Sequence, residues 1–457
     1  MHRRDFVLSL LAAGPAAGRL RLKPRPDPSL QRRSSGRAAT SVATRHRDNL
    51  RINGDRLNRH LGELSAFGRT DTGTDRVAYS EPDRAGREYV MGLMREAGLE
   101  VRIDAGANLI GRRAGRDAAR PPILIGSHTD SVPDGGNYDG DVGALGAIEV
   151  AQTLAESRTV TRGPLEVVVF SNEEGGLVGS KAMVGELGPA ELGVTSRSGK
   201  TIRDGIRYLG GDPDRLATAR RSRGEVAAYL ELHIEQGGTL DEGGINIGVV
   251  EGIVGIRDYE VTFEGFANHA GTTPMDRRRD ALMAASQLVL AVNRVVTSVP
   301  GRQVGTVGRI QAFPGAPNVV PGRVVMTVEI RDLAAEKIDL LARQVIAEGD
   351  RIATATGTTV NFHLFSENTP ALTDVRVQRL ITQAADGLGL SHRALASGAG
   401  HDAQDLARIA PVGMIFIPSV GGISHSPREF SRPLDITNGA NVLLRTVLAI
   451  DAGGLEG

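Results

Sequence analysis

Histidines and carboxylates gather in a few short, Gly-rich stretches of this chain. His128-Thr129-Asp130 sets a His and an Asp at i and i+2, on one side of an extended segment, a spacing at which a carboxylate can orient a metal-binding imidazole. Asp139 follows within Gly135-Gly136-Asn137-Tyr138-Asp139-Gly140, where glycines let the backbone fold sharply and carry a carboxylate towards His128. Glu173-Glu174 ends an apolar run, and paired carboxylates at the end of a buried strand are costly unless a cation offsets their repulsion and desolvation. His233 closes another apolar run, and His425 sits in Gly421-Gly422-Ile423-Ser424-His425-Ser426. Taken singly, these read as a hydrogen-bonded pair, an acidic helix start and a turn. Together, nitrogen and oxygen ligands without a cysteine suit a divalent metal such as zinc or manganese, and the chemistry of a metal-assisted hydrolase. His2, His46, His60, His363 and His392 have ordinary polar surroundings and read as structural or surface residues.

The elements that must position these groups are legible as apolar runs followed by polar residues and Gly. Ile123-Leu124-Ile125 runs into His128, Leu165 to Phe170 into Glu173-Glu174, Tyr229 to Leu232 into His233, and Met414 to Ile417 into the loop that holds His425. A helical stretch spans about Gly143 to Leu154, and helices carrying Leu57, Leu61 and Leu64, and Val90, Leu93 and Met94, come earlier. Buried strands alternating with helices predict an α/β sheet, which binds ligands at the carboxyl ends of its strands. Residues 253–368 read differently: strands Asp258–Phe263, Gln303–Gln311 and Arg323–Arg331 interleave with helices Arg279–Val296 and Ala335–Thr354. That order predicts a small α+β unit of ferredoxin-like type, inserted between catalytic portions at 46–252 and 369–457.

Composition narrows the rest. The 457 residues contain no Cys, which excludes disulfides, iron–sulfur clusters and a thiol nucleophile. Charges balance at 54 against 54 and aromatic residues are few (Phe 10, Tyr 6, Trp 0), so nucleic acid is not an expected partner. No apolar stretch is long enough for a stable membrane span. The first 50 residues carry eleven Arg and Lys against three Asp, and Arg3-Arg4 precedes an apolar run through Leu11. Residues 1–45 therefore read as an export-signal-like segment of twin-arginine type plus linker, favouring a periplasmic location over a cytoplasmic one.

Longer runs then carry a resemblance. Gly126-Ser127-His128-Thr129-Asp130-Ser131-Val132-Pro133, the Asp139-Gly140 step, Glu173-Glu174, Glu231-Leu232-His233-Ile234-Glu235-Gln236-Gly237, Asn268-His269-Ala270-Gly271-Thr272-Thr273-Pro274-Met275, Gly398-Ala399-Gly400-His401-Asp402-Ala403 and Ile423-Ser424-His425-Ser426 resemble the dinuclear-zinc amidohydrolases. That group includes N-carbamoyl-L-amino-acid hydrolase, allantoate amidohydrolase and β-ureidopropionase, relatives of the zinc amino- and carboxypeptidases. The resemblance extends over about residues 50 to 450 and implies a mixed central sheet flanked by helices, with a ferredoxin-like lid that also dimerises. It implies two divalent ions, zinc first with manganese, cobalt or nickel as alternatives. One is held by His128, Asp139 and His233, the other by Asp139, Glu174 and His425, with Asp139 bridging. Glu173 is implied as general base, Asp130 as the group orienting His128, and His269 as an oxyanion stabiliser supplied across a dimer interface. Gln236, Asn318, Arg331, Arg257, His401 and His269 are implied as substrate contacts. The His of His-Ile-Glu-Gln-Gly stands where many peptidase relatives have Asp, which favours carbamoyl and ureido substrates over peptides. Asp141 departs from the pattern, an acid where an apolar residue is expected and one able to perturb the charge of the metal site. A dipeptidase or aminoacylase, and a non-catalytic metal- or ligand-binding relative, are the competing readings.

Overall fold

Asn53 accepts a hydrogen bond from the Arg56 N–H (3.0 Å) and so caps helix α1, Gly54–Leu64, which buries Leu57, Leu61 and Leu64. Ser80 caps α2, Glu81–Glu96, with Glu81 and Asp83 at the positive end of its dipole and Val90, Leu93 and Met94 buried. Both follow the spacing of their apolar residues. The computed structural model describes residues 49–456; the export-signal-like segment expected over 1–45, with His2, and His46 beyond it, lies outside the described residues.

Fifteen strands follow in chain order among the described residues. They are β1 (Glu100–Ile103), β2 (Leu109–Arg113), β3 (Ile123–His128), β4 (Leu165–Phe170), β5 (Ala228–Ile234), β6 (Ile247–Ile253), β7 (Gly255–Glu264) and β8 (Asn268–His269). Then come β9 (Val304–Phe313), β10 (Val319–Val320), β11 (Arg323–Asp332), β12 (Thr359–Asn368), β13 (Ala371–Leu372), β14 (His392–Ser397) and β15 (Val412–Ile417).

Nine of them form one mixed sheet in the order β1-β2-β4-β3-β5-β15-β6-β13, with β14 alongside β6. At its centre β4, β3, β5 and β15 run parallel, and every residue of these four strands is buried. Helices on both faces produce that pattern. Among them, α3 (Asp141–Glu156) packs its apolar residues with the core that also takes Leu443, Leu444 and Val447 of the last long helix, Pro433–Asp451. Because the four strands are parallel, the residues that follow their carboxyl ends share one edge of the sheet. That edge carries His128, Glu173, Glu174 and His233, and the loop that leaves β15 reaches it with His425.

The four strands β12-β7-β11-β9 form a second, antiparallel sheet. Helices Ala281–Thr297 and Ala335–Thr356 cover one face of it, where Phe263, Met326 and Ile330 meet Leu288, Val292 and Leu341 in a separate apolar core. Asp280 caps the first of these helices through the N–H groups of Leu282 and Met283. Strands β8 and β10 pair apart from both sheets, with His269 opposite Val319.

Not every strand is marked by a sequence run, and β1, β2 and β6 are among those that are not. β1, the edge strand, carries Glu100 and Arg102, and β2 beside it ends in Arg112 and Arg113, so no long apolar run marks them. β6 contains Gly248 and Gly252, which lower its β-propensity although most of the strand is buried.

Candidate metal centre

Strand β3 ends on His128, whose ring is held by an Nδ1 hydrogen bond to the main-chain carbonyl of Asp130 (3.0 Å). His233, next to the end of β5, bonds the carbonyl of Ile234 in the same way (2.9 Å). Both rings therefore turn Nε2 towards Asp139, with Oδ1 3.6 Å from His128 and 3.1 Å from His233. The other oxygen of Asp139 faces the loop after β15, where His425 Nε2 lies 3.2 Å from Oδ2 and 3.5 Å from Glu174 Oε1. Glu173 Oε2 is 3.7 Å from His128 Nε2. The six groups read from the sequence thus converge around one carboxylate, with two ligand triads on either side of it.

The local backbone explains how Asp139 reaches this point. Gly140 has φ 66°, and a Cβ there would sit 2.4 Å from the His128 ring, so the turn requires glycine twice over. Beyond it Asp141 begins α3, two residues before the helical stretch expected from Gly143, because its carboxylate joins the first turn. Asp141 is fully buried and forms an ion pair with Arg76, equally buried. Arg76 also donates from Nε to the Thr129 carbonyl (2.6 Å) and from Nη1 to the carbonyls of Leu64 and Phe67 (3.1 and 3.0 Å). The Asp141 charge is therefore directed at a guanidinium behind the loops that carry His128 and Asp139.

Glu429, which no short motif singles out, supports the same loops, together with further residues of the motifs themselves. Glu429 accepts the N–H groups of Tyr138 (3.0 Å) and Asp139 (3.1 Å) on one oxygen and that of His425 (3.2 Å) on the other. Ser424 places its hydroxyl 3.0 Å from Asp139 Oδ2 and 2.9 Å from Glu429 Oε2. Glu231, inside the His233 motif, accepts from the Ser127 hydroxyl (2.8 Å) and the Ala403 N–H (3.1 Å). The Asp130 carboxylate is 3.9 Å from His128 Nδ1 and instead accepts the N–H groups of Glu173 and Glu174, each at 3.2 Å. Asp130 thus orients His128 through its carbonyl and fixes the Glu173-Glu174 turn through its carboxylate.

Burial pushes the Glu173 carboxyl well above the ordinary carboxylate range, and the negative charges of Asp402 and Glu174 add to the shift. Glu174 rises to about 7, through burial and then the charge of Asp139. His425 rises to about 9 through its hydrogen bond to Asp139. For His128 and His233 burial opposes the charged ring, but the surrounding carboxylates outweigh it and both are raised. So many acids in one place call for positive charge. His128 Nε2 and Glu174 Oε1 are moreover buried without a hydrogen-bond partner. Donor type, spacing and these orphaned atoms all fit divalent cations.

The expected substrate contacts divide. Gln236 and Arg331 line a cavity of about 620 Å³ that also reaches His425, together with Arg302 and Arg393. Gln236 donates from Nε2 to Asp139 Oδ2 (2.7 Å). Arg331 is engaged by Glu329 (2.7 Å) and the carbonyl of Gly398 (2.5 Å), so an incoming carboxylate must share its fork. His401 is buried, with its ring centroid 4.5 Å from that of His233 and its Nε2 2.8 Å from the Ser397 hydroxyl. Burial and the neighbouring His233 charge hold it well below the usual histidine range, and so neutral. Arg257 lies on β7, paired with Asp339 and Glu367 at 3.3 Å each. His269 is exposed on β8, and the Asn318 carbonyl accepts from Ala270 (2.9 Å). Among the described residues, Arg257, His269 and Asn318 make no hydrogen bond or ion pair with the six central groups.

Comparison with known proteins is consistent with this architecture. The model of peptidase family M20/M25/M40 matches residues 124–449. The N-carbamoyl-L-amino acid amidohydrolase of Geobacillus stearothermophilus is 40% identical over 408 residues, covering 88% of this chain and 100% of that protein. The allantoate amidohydrolase of Escherichia coli (strain K12) is 34% identical, covering 83% of this chain and 94% of that one. Among solved structures, an amidase of the hydantoinase/carbamoylase family from Burkholderia multivorans superposes with a TM-score of 0.80 at 38% identity, covering 88% of this chain and 98% of its own.

Proposed function

Because the chain belongs to peptidase family M20/M25/M40, we propose that it is a metal-dependent amidohydrolase cleaving the linear C–N bond of a carbamoyl or ureido group in a carboxylate-bearing substrate. N-carbamoyl-L-amino acids and allantoate are the two candidate classes, in line with the activities named for its relatives. The observation that carries the reading is the convergence of His128, Asp139, Glu173, Glu174, His233 and His425 on one strand edge.

In this reading His128, His233 and Asp139 hold one divalent ion, and Asp139, Glu174 and His425 hold the other. Zinc is the first choice, with manganese, cobalt or nickel accepted by the same donors. When bound, such a pair polarises the scissile carbonyl and lowers the pKa of water. Glu173 takes the proton of the attacking water and returns it to the leaving nitrogen, a role suited to a carboxyl whose pKa lies above the ordinary range. Asp130 keeps Glu173 in place by accepting its N–H. Arg331 and Gln236 meet the substrate from the wall of the large cavity, Arg331 through a planar fork that matches a carboxylate. Residues 253–368 act as an inserted lid that dimerises, and His269 serves the site of a second copy as an oxyanion donor. Its Nδ1 accepts the N–H of Gly271 (3.0 Å), which leaves the proton on Nε2 as a donor.

A panel of N-carbamoyl-L-amino acids, allantoate and N-carbamoyl-β-alanine, with and without chelator, tests this. Chelator-sensitive release of the amino compound from one of them is expected. Turnover of dipeptides or N-acetyl amino acids alone would move the chain to the dipeptidase or aminoacylase reading, and no turnover at all would leave a binding protein.

A further inference from the structure

Gln236 is held in a conformation that its residue type rarely adopts. Its backbone has φ 58°, in the left-handed region, and the N–H is pinned by the Ser419 hydroxyl (3.0 Å). His425 has φ 52° on the facing loop. The two loops press backbone to backbone: a Cβ on Gly422 would lie 2.7 Å from the N of Gly238. Strained backbone persists only where the surroundings impose it, and here both strained residues aim a side chain at the same oxygen of Asp139.

The spacing to His425 is that of ligands around one ion, and the shorter contact with Asp139 is a hydrogen bond. The Gln236 amide nitrogen stands 2.7 Å from Asp139 Oδ2 and 3.4 Å from His425 Nε2. Donor atoms bound at about 2.0–2.2 Å to a common cation lie roughly 3.0–3.5 Å apart. The carbonyl oxygen of the same amide, Oε1, is buried and has no hydrogen-bond partner. A half-turn about the terminal torsion exchanges the two atoms, bringing Oε1 into the position beside Asp139 and His425 and turning the N–H₂ group away from it.

We propose that the carboxamide oxygen of Gln236 is a fourth protein ligand to the divalent ion held by Asp139, Glu174 and His425. The inference rests on the dinuclear reading above and gives Gln236 a part in it beyond contact with substrate. It makes the two positions chemically unequal. The His128–His233–Asp139 position offers two nitrogens and one oxygen. The other offers three oxygens and one nitrogen, a harder set that favours manganese over zinc relative to its neighbour.

The experiment is a titration of the full-length, chelator-stripped chain with Mn²⁺, read by the electron paramagnetic resonance of the free ion. Total metal is counted by mass spectrometry. Two ions are expected for the unaltered chain. Gln236→Ala should keep one ion and weaken the other by roughly tenfold or more, since even residues that only support ligands affect affinity on that scale. Gln236→Glu, with a carboxylate oxygen in the same place, should restore or tighten it. Unchanged binding of both ions by Gln236→Ala would overturn the proposal and leave Gln236 a substrate contact. Tighter binding by Gln236→Ala would overturn it too, making the amide a competitor for the site. Fewer than two ions in the unaltered chain would remove the dinuclear reading and this inference with it.

Discussion

On one side of Asp139, His128 and His233 are 1% and 0% exposed, and each ring is fixed by a hydrogen bond to a main-chain carbonyl. On the other side His425 is 48% exposed, has no such bond, and comes from a loop rather than a strand. The first half is built into the parallel core of the sheet, whose strands are buried throughout, so its geometry exists before any cation arrives. The second is assembled from loops, tied together by Glu429 and Ser424. A shared Asp139 joins a half built on buried strands to one built on loops beside the cavity.

The sharpest break in that comparison leaves both halves intact. Glu173→Gln should retain both ions and lose roughly 10²–10⁴-fold in kcat, measured at saturating substrate with metal content counted in parallel. Equal turnover would take Glu173 out of the mechanism.

Removing one imidazole from each half separates their structural roles. His233→Ala empties a fully buried position and should cost the cation-free chain about 2–4 kcal/mol of stability. His425→Ala leaves less of a void, since the ring is half exposed, and its cost should come mainly from the lost ion pairs with Asp139 and Glu174. That cost should be smaller than that of His233→Ala and should fade as pH rises through about 9. Denaturant melts of the two variants read this directly, and equal losses would mean that the halves are not built differently.

Protons provide a third test. Without a cation Glu174 titrates at about 7 and His425 at about 9, and a cation binds only their deprotonated forms. Affinity for the exposed position should therefore rise with pH, most steeply below about 7 where both protons compete. The rise should be gentler up to about 9 and should then level off. A flat titration across that range would contradict the geometry of the exposed half. The smallest effect concerns the cavity wall: Arg331→Lys should raise KM roughly tenfold with kcat little changed, since an ammonium lacks the planar fork.

Much of the candidate site was legible because its residues stand at the ends of apolar runs, and an apolar run in a parallel sheet points its carboxyl end to the ligand edge. What supports those residues was not. Arg76 meets Asp141 across 65 positions and Glu429 meets Tyr138 across 291, and neither belongs to a short motif. Asp141 was read as a charge threatening the metal site, but its partner is visible only once the chain is folded. The fold followed the same division. Helices such as Gly54–Leu64 and Ala335–Thr356 followed their apolar spacing closely, whereas the charged edge strand β1 and its neighbour β2 took their pairing from tertiary context.

The central claim is that two cations straddle Asp139. Crystals of the loaded chain, with diffraction recorded at the absorption edge of the bound metal, test it most directly. The account predicts two anomalous peaks roughly 3.5–4 Å apart, one beside His128 and His233 and one beside Glu174 and His425, with Asp139 between them. A single peak, or two peaks that do not share Asp139, would contradict it.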